Sequence, residues 1–371
     1  MNKTISQTSL NNVMNQYGLT PEMYEAVSYG NGHINDTFLV SPRIQYWADA
    51  CYILQRINTT VFRNPDALME NITGVTDFLR KDIEKHNGDT YRETLTVLNT
   101  KENGTMAKDS EGGCWRLYLF VKKTVSCETV ENPIVFRNAG VAFGRFMKRL
   151  ANYPAHTLHE TIPHFHNTRQ RFENLRQAVI ADTVGRAKNV QSEIDFFYKR
   201  ESEYGILLDL LEKVKLPLRV THNDTKLNNI LFDADSGEGI CVVDLDTVMP
   251  GLCLYDFGDA IRFGANTAAE DEMDLSKVTL SLELFEAYTK GYLSETADVL
   301  TPLERELLPT GSKMMTVECG MRFLTDYLYG DVYFKIKHQH HNLDRARTQV
   351  ALTADMEKKW KDMVRICLHK I

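Results

Sequence analysis

One polar run set between two apolar segments constrains this chain more than any other feature. Residues 220–232 read Val-Thr-His-Asn-Asp-Thr-Lys-Leu-Asn-Asn-Ile-Leu-Phe, and residues 241–247 read Cys-Val-Val-Asp-Leu-Asp-Thr. The acid Asp224 is followed five residues later by Asn229, and a second acid, Asp244, ends a short apolar run. A phosphoryl-transfer site of the protein-kinase kind needs this order, with two groups on one loop and the third at the end of a strand.

The chemistry of phosphoryl transfer gives each of these residues a role. Asp224 would accept the proton of an incoming hydroxyl, while Asn229 and Asp244 would hold Mg²⁺ against the phosphates of ATP. Lys226 would neutralise charge on the transferred group, because the transition state needs positioning and cations more than covalent chemistry. His-x-Asp alone is common in loops, but this whole set at these offsets rarely arises by chance. We therefore predict a phosphotransferase that uses ATP and magnesium.

A second candidate for the metal ligand is Asp256, which begins the triplet Asp-Phe-Gly at residues 256–258. This triplet spells the metal-binding motif of protein kinases. Here it opens an apolar, helix-like run, whereas Asp244 closes a strand-like one. We therefore assign the metal to Asp244 and expect Asp256 to cap a helix or brace a loop.

Composition excludes several classes of protein. The 371 residues are 43% hydrophobic and 25% charged, as in an ordinary globular protein, and the net charge of −7 argues against nucleic-acid binding. The seven cysteines form no Cys-x-x-Cys pair and lie mostly in apolar runs, which indicates reduced thiols. Without an apolar signal core at the start or an apolar run of about 18 residues, we expect a cytoplasmic protein that does not enter a membrane.

Residues 1–121 predict a small lobe of mainly antiparallel strands with one large helix. The helix is expected over residues 62–86, where apolar side chains recur on one face after an Asn-Pro start. Its Glu70 is a candidate partner for a phosphate-binding basic residue. Residues 91–98 and 114–121 read as strands around a polar turn.

Two features of this lobe could bind a nucleotide. Gly30 and Gly32 lie in a turn between strand-like pieces, where backbone N–H groups could approach phosphate oxygens, although a plain hairpin turn fits equally. The third strand carries Gln55 and Arg56 where a protein kinase has a phosphate-pairing lysine. Only one of the two can face the nucleotide, because strand side chains alternate. Arg56 could pair with phosphates or could be an exposed strand residue.

The rest of the chain predicts a linker at residues 122–132 and a mainly helical lobe at 133–371, interrupted by the polar loop and its strand. The fold class is therefore α+β, a two-lobed protein-kinase-like fold. Arg322 stands on an otherwise apolar helix, either ion-paired for structure or facing a substrate. The histidine groups at 164–166 and 338–341 lack a third ligand at recognisable spacing, so no further metal site is predicted.

From residue 29 to about residue 356, the chain resembles the aminoglycoside phosphotransferase superfamily, which includes choline, homoserine and methylthioribose kinases. The longest shared strings are those of members that phosphorylate the anomeric hydroxyl of N-acetylglucosamine or N-acetylgalactosamine. These strings lie at residues 29–35, 161–166, 218–231, 244–251, 256–264 and 318–327, and the last continues to residue 334.

The resemblance implies a sugar 1-phosphate product, with ATP and magnesium as cofactors and a small-molecule sugar as partner. It implies that Asp224 faces the sugar hydroxyl, that Arg322 and Tyr333 help to hold the sugar, and that His33 reaches in from the glycine turn. A different acceptor, such as an aminoglycoside, choline or homoserine, would keep the same fold. A catalytically inactive nucleotide-binding module is a further alternative, against which the intact Asp224 and Lys226 argue.

Overall fold

The computed structural model describes residues 5–30, 34–44 and 50–369. Along these residues the strands come mostly first, and helices dominate from residue 133 onward. The predicted α+β fold with a small sheet lobe and a large helical lobe is confirmed.

The small lobe is built on an antiparallel sheet. The described strands are β1 (Tyr24–Ser28), β2 (Asp36–Pro42), β3 (Tyr52–Arg56), β4 (Val97–Leu98), β5 (Ala107–Lys108) and β6 (Cys114–Leu119). Neighbouring strands follow the order β1-β2-β3-β6-β4, and β5 also pairs with β6.

Side chains alternate across this sheet, so each strand divides its residues between two faces. One face buries Trp115 of β6 in an apolar cluster with the helix α1 (Gln7–Gln16). The strand register places Arg56 opposite Trp115, and Gln55 opposite Arg116. Arg56 therefore belongs to the face that α1 covers, and Gln55 belongs to the other face.

The predicted large helix is present as α2 (Pro65–Lys85). Asn64 caps it by accepting a hydrogen bond from the Ala67 N–H, and Pro65 suits the first turn because it has no N–H to satisfy. Asn71 of α2 donates from Nδ2 to the Val248 carbonyl at 3.0 Å, so the helix is also joined to the large lobe. Its buried apolar residues include Leu68, Met69, Ile72, Val75, Leu79 and Ile83.

The strand predicted over residues 91–98 is wrong for most of its length. Only Val97–Leu98 is extended, whereas Asp89 and Glu93 hold the preceding residues in turns. The Asp89 carboxylate accepts from the Tyr91 N–H at 2.9 Å, and Glu93 accepts from the Asp89 N–H at 2.7 Å. Such local side-chain bonds compete with strand pairing.

The large lobe surrounds its inserted strands with helices. Its described helices are α3 (Pro133–Arg149), α4 (Thr168–Ala181), α5 (Gln191–Tyr198), α6 (Ile206–Glu212), α7 (Cys253–Gly264), α8 (Leu282–Thr296), α9 (Pro302–Glu306), α10 (Leu308–Leu328), α11 (His341–Lys358) and α12 (Trp360–Leu368). Of these described helices, none is long and apolar enough to cross a membrane.

Short strands position the polar loop within this helical lobe. They are β7 (Thr124–Val125), β8 (Arg219–Thr221), β9 (Ile230–Asp233), β10 (Gly239–Val242) and β11 (Met249–Gly251). β8 pairs with β11, and β9 pairs with both β10 and β7. One short strand, β7, thus lies inside the segment predicted as a linker.

Glycines let α7 and α10 approach closely. A Cβ added at Gly258 would meet the backbone carbonyl of Gly311, and one added at Gly311 would meet the carbonyl of Leu254. This contact fixes α7, whose first turn carries Asp256, beneath the polar loop.

Candidate active site

The loop between β8 and β9 is held in place by Asp256. Its carboxylate accepts the backbone N–H of His222 at 2.8 Å and that of Asn223 at 2.7 Å. Asn223 adopts a left-handed backbone with φ of 64°, which Asn tolerates better than most residues. The expectation that Asp256 braces a loop is confirmed.

His222 supports the loop from inside the protein. Its Nε2 lies 2.8 Å from the Val243 carbonyl, which can only accept, so Nε2 carries the proton. Nδ1 is then free to accept the Asp224 N–H at 3.3 Å. The ring is fully buried against the edges of Phe143 and Phe146.

Asp224 stands at the exposed side of the loop with a cation and an amide beside it. Lys226 Nζ lies 2.6 Å from Asp224 Oδ1. Asn229 Nδ2 donates to the Asp224 carbonyl at 2.8 Å and to Oδ2 at 3.2 Å. Burial alone would lower the pKa of Lys226, but the carboxylates of Asp224 and Asp259 reverse this and raise it. Lys226 is therefore a cation at the pH of the cell.

Asp244 follows β10 in a left-handed conformation, with φ of 58° and ψ of 57°. Burial, assisted by the carboxylates of Asp246 and Asp224, raises the pKa of Asp244 to about 6, while Arg116 acts in the opposite direction. Such a site favours a bound cation. Asn229 turns its amide nitrogen toward Asp224, which leaves its Oδ1 available as a second ligand.

These oxygen donors fit Mg²⁺, a hard cation that proteins commonly hold with one or two carboxylates together with substrate phosphates. Among the described residues there is no cluster of three or more His, Cys, Asp or Glu side chains arranged to hold a metal. A site that relies on phosphate oxygens for its remaining ligands needs no such cluster.

A cavity of about 400 Å³ opens between Asp224 and the small lobe. Gly30, with φ of 74°, lines it from the hairpin, while Gly32 and His33 lie outside the described residues. Other lining residues include Asn35, Thr37, Ile53, Gln55, Tyr118, Leu119, Val121, Lys226, Asn229, Val243 and Asp244. The predicted catalytic and metal-binding residues therefore meet at one cavity.

Gln55, and not Arg56, faces this cavity. Arg56 Nε lies 3.6 Å from the Asp109 carboxylate on the sheet face that α1 covers. The interpretation that Arg56 contacts phosphates is therefore corrected, because strand alternation places its side chain on the face away from the cavity. Glu70 likewise serves another purpose, because its carboxylate lies 2.6 Å from His159 Nε2.

The cation on the cavity side of the sheet is Arg116, which sequence reasoning missed. Its Nε and Nη2 donate to Gln55 Oε1 at 3.0 and 2.8 Å, and its Nη1 pairs with Asp246. The available signal was a lone arginine inside the apolar string Cys-Trp-Arg-Leu-Tyr-Leu of β6.

Arg322 and Tyr333 meet at the ring of Phe334. The Arg322 guanidinium lies 5.5 Å from the Phe334 ring centre and 5.8 Å from that of Phe165. The Tyr333 ring packs edge-on against Phe334 at 4.8 Å, although Tyr333 is 70% exposed. Among the described residues, no carboxylate lies within ion-pair distance of Arg322, so the purely structural ion-pair interpretation is not supported.

A second arginine lies beside Arg322. Burial and the charge of Arg322 lower the pKa of Arg171, whose Nη2 donates to the Phe165 carbonyl at 2.8 Å. The acid next to it, Glu318, is already paired with His166 Nδ1 at 2.9 Å. His166 Nε2 is buried and has no hydrogen-bond partner among the described residues.

Asp259 of α7 connects a further arginine, Arg262, to the catalytic loop. It accepts the Thr225 N–H at 3.1 Å and pairs with Arg262 at 2.9 Å. Arg262 and Arg322 both act on the thiol of Cys319, lowering a pKa that burial raises more strongly, to about 11. The acids of this region, Asp259, Glu270 and Glu318, all pair with basic side chains, whereas Arg171 and Arg322 form no ion pair within the part of the chain that the structure describes.

A model of the phosphotransferase enzyme family matches residues 29–293. An aminoglycoside phosphotransferase structure from Alicyclobacillus acidocaldarius has a TM-score of 0.60 at 12% identity, covering 98% of this chain and 96% of that one. A Plasmodium vivax ethanolamine kinase has a TM-score of 0.56 at 17% identity, covering 96% and 93%.

An amicoumacin kinase in complex with AMP-PNP and Ca²⁺ also has a TM-score of 0.56, at 15% identity, covering 97% of this chain and 94% of that one. At these identities the likeness concerns the fold, and it confirms the kinase-like architecture expected from the sequence.

Proposed function

Because the chain belongs to the phosphotransferase enzyme family, we propose that it transfers the γ-phosphoryl group of ATP to the anomeric hydroxyl of N-acetylhexosamines. The observation that carries the phosphoryl-transfer part is the meeting of Asp224, Asn229 and Asp244 at one cavity beneath Gly30. The product would be a sugar 1-phosphate, and the activity that of an N-acetylhexosamine 1-kinase.

Four of the residues that line the cavity have proposed roles in the reaction. Asp224 orients the attacking hydroxyl and takes its proton as the O–P bond forms and the bond to ADP breaks. Lys226, held by Asp224, balances negative charge on the transferred group. Asn229 and Asp244 would hold Mg²⁺, which when bound supplies positive charge to the β- and γ-phosphates.

ATP is proposed as the donor because Gly30 of the small lobe and the catalytic loop line the same cavity, which would bring nucleotide phosphates near Asp244. The amicoumacin kinase of the same fold was crystallised with AMP-PNP and Ca²⁺, which supports a nucleoside triphosphate and a divalent cation here. A cytoplasmic location remains a prediction from the sequence.

The acceptor is proposed from two observations. The strings around residues 161–166 and 318–327 resemble those of kinases for N-acetylhexosamines, and they supply Phe165, His166 and Arg322 to one region of the large lobe. Arg171 and Arg322 form no ion pair with any described residue, and two such cations disfavour a cationic acceptor such as choline, ethanolamine or an aminoglycoside. A neutral sugar can accept hydrogen bonds from arginine and contact the aromatic rings.

The test is a phosphorylation screen with ATP and Mg²⁺ over N-acetylglucosamine, N-acetylgalactosamine, glucose, galactose, choline, ethanolamine and kanamycin. Phosphorus NMR then identifies the phosphorylated position. We expect an anomeric phosphate on the N-acetyl sugars. Turnover only with choline, ethanolamine or kanamycin would remove the sugar assignment, and ATP binding without turnover would support an inactive module.

A further inference from the structure

We propose that Arg116 and Asp246, together with Asn35, form a junction between the two lobes that positions Asp244 and the start of β2 for Mg·ATP. The proposal deepens the proposed function and rests on it. Arg116 and Asp246 are positioning residues in this proposal, because neither lines the cavity that Asp244 lines.

The side chain of Asp246 is held entirely by residues of the small lobe. Its Oδ1 pairs with Nη1 of Arg116 on β6. Its Oδ2 accepts from Asn35 Nδ2 at 2.5 Å. Both oxygens are thus occupied and the side chain is buried, so Asp246 is a joint between lobes and is not available as a second metal-binding aspartate.

Asp246 lies on the same tight turn as Asp244. Asp244 begins the single 3-10 turn Leu245–Thr247 in a left-handed conformation, which leaves little freedom between the two carboxylates. The catalytic loop holds the turn from its other side. Thr247 Oγ1 donates to the His222 carbonyl at 2.7 Å, and Asn223 Nδ2 donates to the Thr247 carbonyl at 2.8 Å. A shift of Asp246 would therefore move Asp244.

The third strand carries Gln55 and Arg56 where a protein kinase has a phosphate-pairing lysine. Gln55 lines the cavity at that position, with its Oε1 fixed by the Arg116 fork and its Nε2 donating to Thr37 at 3.1 Å. The positive charge lies one strand away, behind Gln55, on a guanidinium that is 1% exposed. Arg116 thus supplies charge near Asp244 and orients Gln55 without itself reaching the cavity.

Asn35 links the junction to the start of β2. Asn35 lines the cavity, and its Oδ1 accepts the Asn58 N–H at 2.9 Å while its Nδ2 reaches Asp246. The start of β2 is therefore tied to the turn that carries Asp244. Nucleotide phosphates between them would meet both at a fixed separation.

The experiment measures nucleotide binding by calorimetry without any sugar, with and without Mg²⁺, for Arg116→Met, Asp246→Asn and the double variant. We expect affinity for Mg·ATP to fall about 10–100-fold in each single variant, as for residues that orient metal ligands. Affinity for ATP without Mg²⁺ should change far less. The double variant should be no worse than the weaker single one, because the two residues act as one pair.

Arg200→Met is the matched control, since Arg200 makes a two-point pair with Glu357 in the large lobe at 2.8 and 2.7 Å. It should lower the melting temperature and leave nucleotide affinity unchanged. Asn35→Ala provides a milder test should Arg116→Met fail to fold, and Arg116→Lys should restore part of the Mg·ATP affinity.

Variants that lower only the melting temperature, with Mg·ATP affinity and kcat unchanged, would overturn the proposal. A wild-type protein that binds Mg·ATP but phosphorylates none of the N-acetyl sugars would instead overturn the proposed acceptor, and the junction would still be tested by binding. A wild-type protein that binds no nucleotide would remove both.

Discussion

At the scale of single residues, Asp224 is the base that we propose for the proton transfer. Asp224→Asn keeps the shape and the hydrogen bond from Asn229 but cannot take a proton. We expect kcat for sugar phosphorylation to fall about 10²–10⁴-fold with little change in melting temperature or Mg·ATP affinity. Steady-state kinetics and calorimetry measure both quantities, and a variant with full kcat would disprove the role of Asp224 as base.

Asp244→Ala and Asp256→Ala should have different effects on the Mg²⁺ dependence of turnover and on stability. Asp244→Ala removes a proposed metal ligand, so turnover should fail at any Mg²⁺ concentration. Asp256→Ala removes the acceptor of two backbone N–H groups and should destabilise the protein by about 1–3 kcal/mol. Its remaining activity should show an ordinary Mg²⁺ dependence in a titration, and loss of that dependence would move the metal to Asp256.

How far sequence reasoning reached is also decided residue by residue. The meeting of Asp224, Asn229 and Asp244 at one cavity could be predicted because the three lie close together in the chain at fixed offsets. The choice between Gln55 and Arg56 could not be made, since alternation separates the two without saying which face is covered. Arg116 could not be predicted because its partner, Asp246, lies on a different lobe and distant in sequence.

At the scale of elements, periodicity located the large helix and the strand that ends before Asp244. It failed at residues 91–98, where β-prone residues are held in turns by Asp89 and Glu93. Apolar spacing records which side chains are buried, whereas these turns depend on individual polar side chains.

The crossing of α7 and α10 should tolerate no added methyl group. Gly258→Ala places Cβ against the Gly311 carbonyl, so the helices must separate. We expect a loss of about 1–3 kcal/mol in the free energy of unfolding, measured with urea. Gly104→Ala is the control, because its Cβ would meet its nearest neighbour at an ordinary 3.5 Å. Equal stability of both variants would contradict the close crossing.

The contact of α5, α10 and α11 should depend on acid pH through Glu357. The hydrogen bond from Arg200, with help from Lys313, lowers the pKa of Glu357 from 4.5 to about 2. A depressed carboxyl pKa stabilises the folded state above the unfolded value of 4.5, and this contribution is lost as the pH falls toward 2.

Glu357→Gln should therefore lower the free energy of unfolding at pH 6 by about 1–3 kcal/mol. The difference between wild type and variant should shrink as the pH falls from 4.5 toward 2. Urea unfolding over that range measures it. A difference that stays constant with pH would show that the ion pairs of Glu357 contribute nothing.

At the scale of the whole molecule, the apolar core crosses between the lobes. Residues of α2, such as Leu68 and Ile72, belong to the same buried cluster as Phe143 of α3 and Phe257 of α7. The separate cluster beneath α1 is much smaller. The small lobe therefore shares its main core with the large one.

From this shared core we expect that residues 1–121 do not fold alone. Without α3, the apolar face of α2 is exposed to water and loses the contacts that stabilise it. Circular dichroism of this fragment should show no cooperative thermal transition, in contrast to the full chain. A cooperative transition in the fragment would mean that the α1 cluster and the sheet suffice.

The bond between Asn35 and Asp246 joins residues that are 211 positions apart in the chain. During synthesis from the N-terminus, Asn35 therefore emerges long before the turn to which it bonds. A ribosome-bound chain that stops short of residue 246 should have no affinity for an immobilised nucleotide, whereas a longer one gains it. We therefore expect that the nascent chain cannot bind nucleotide until most of its length has been translated.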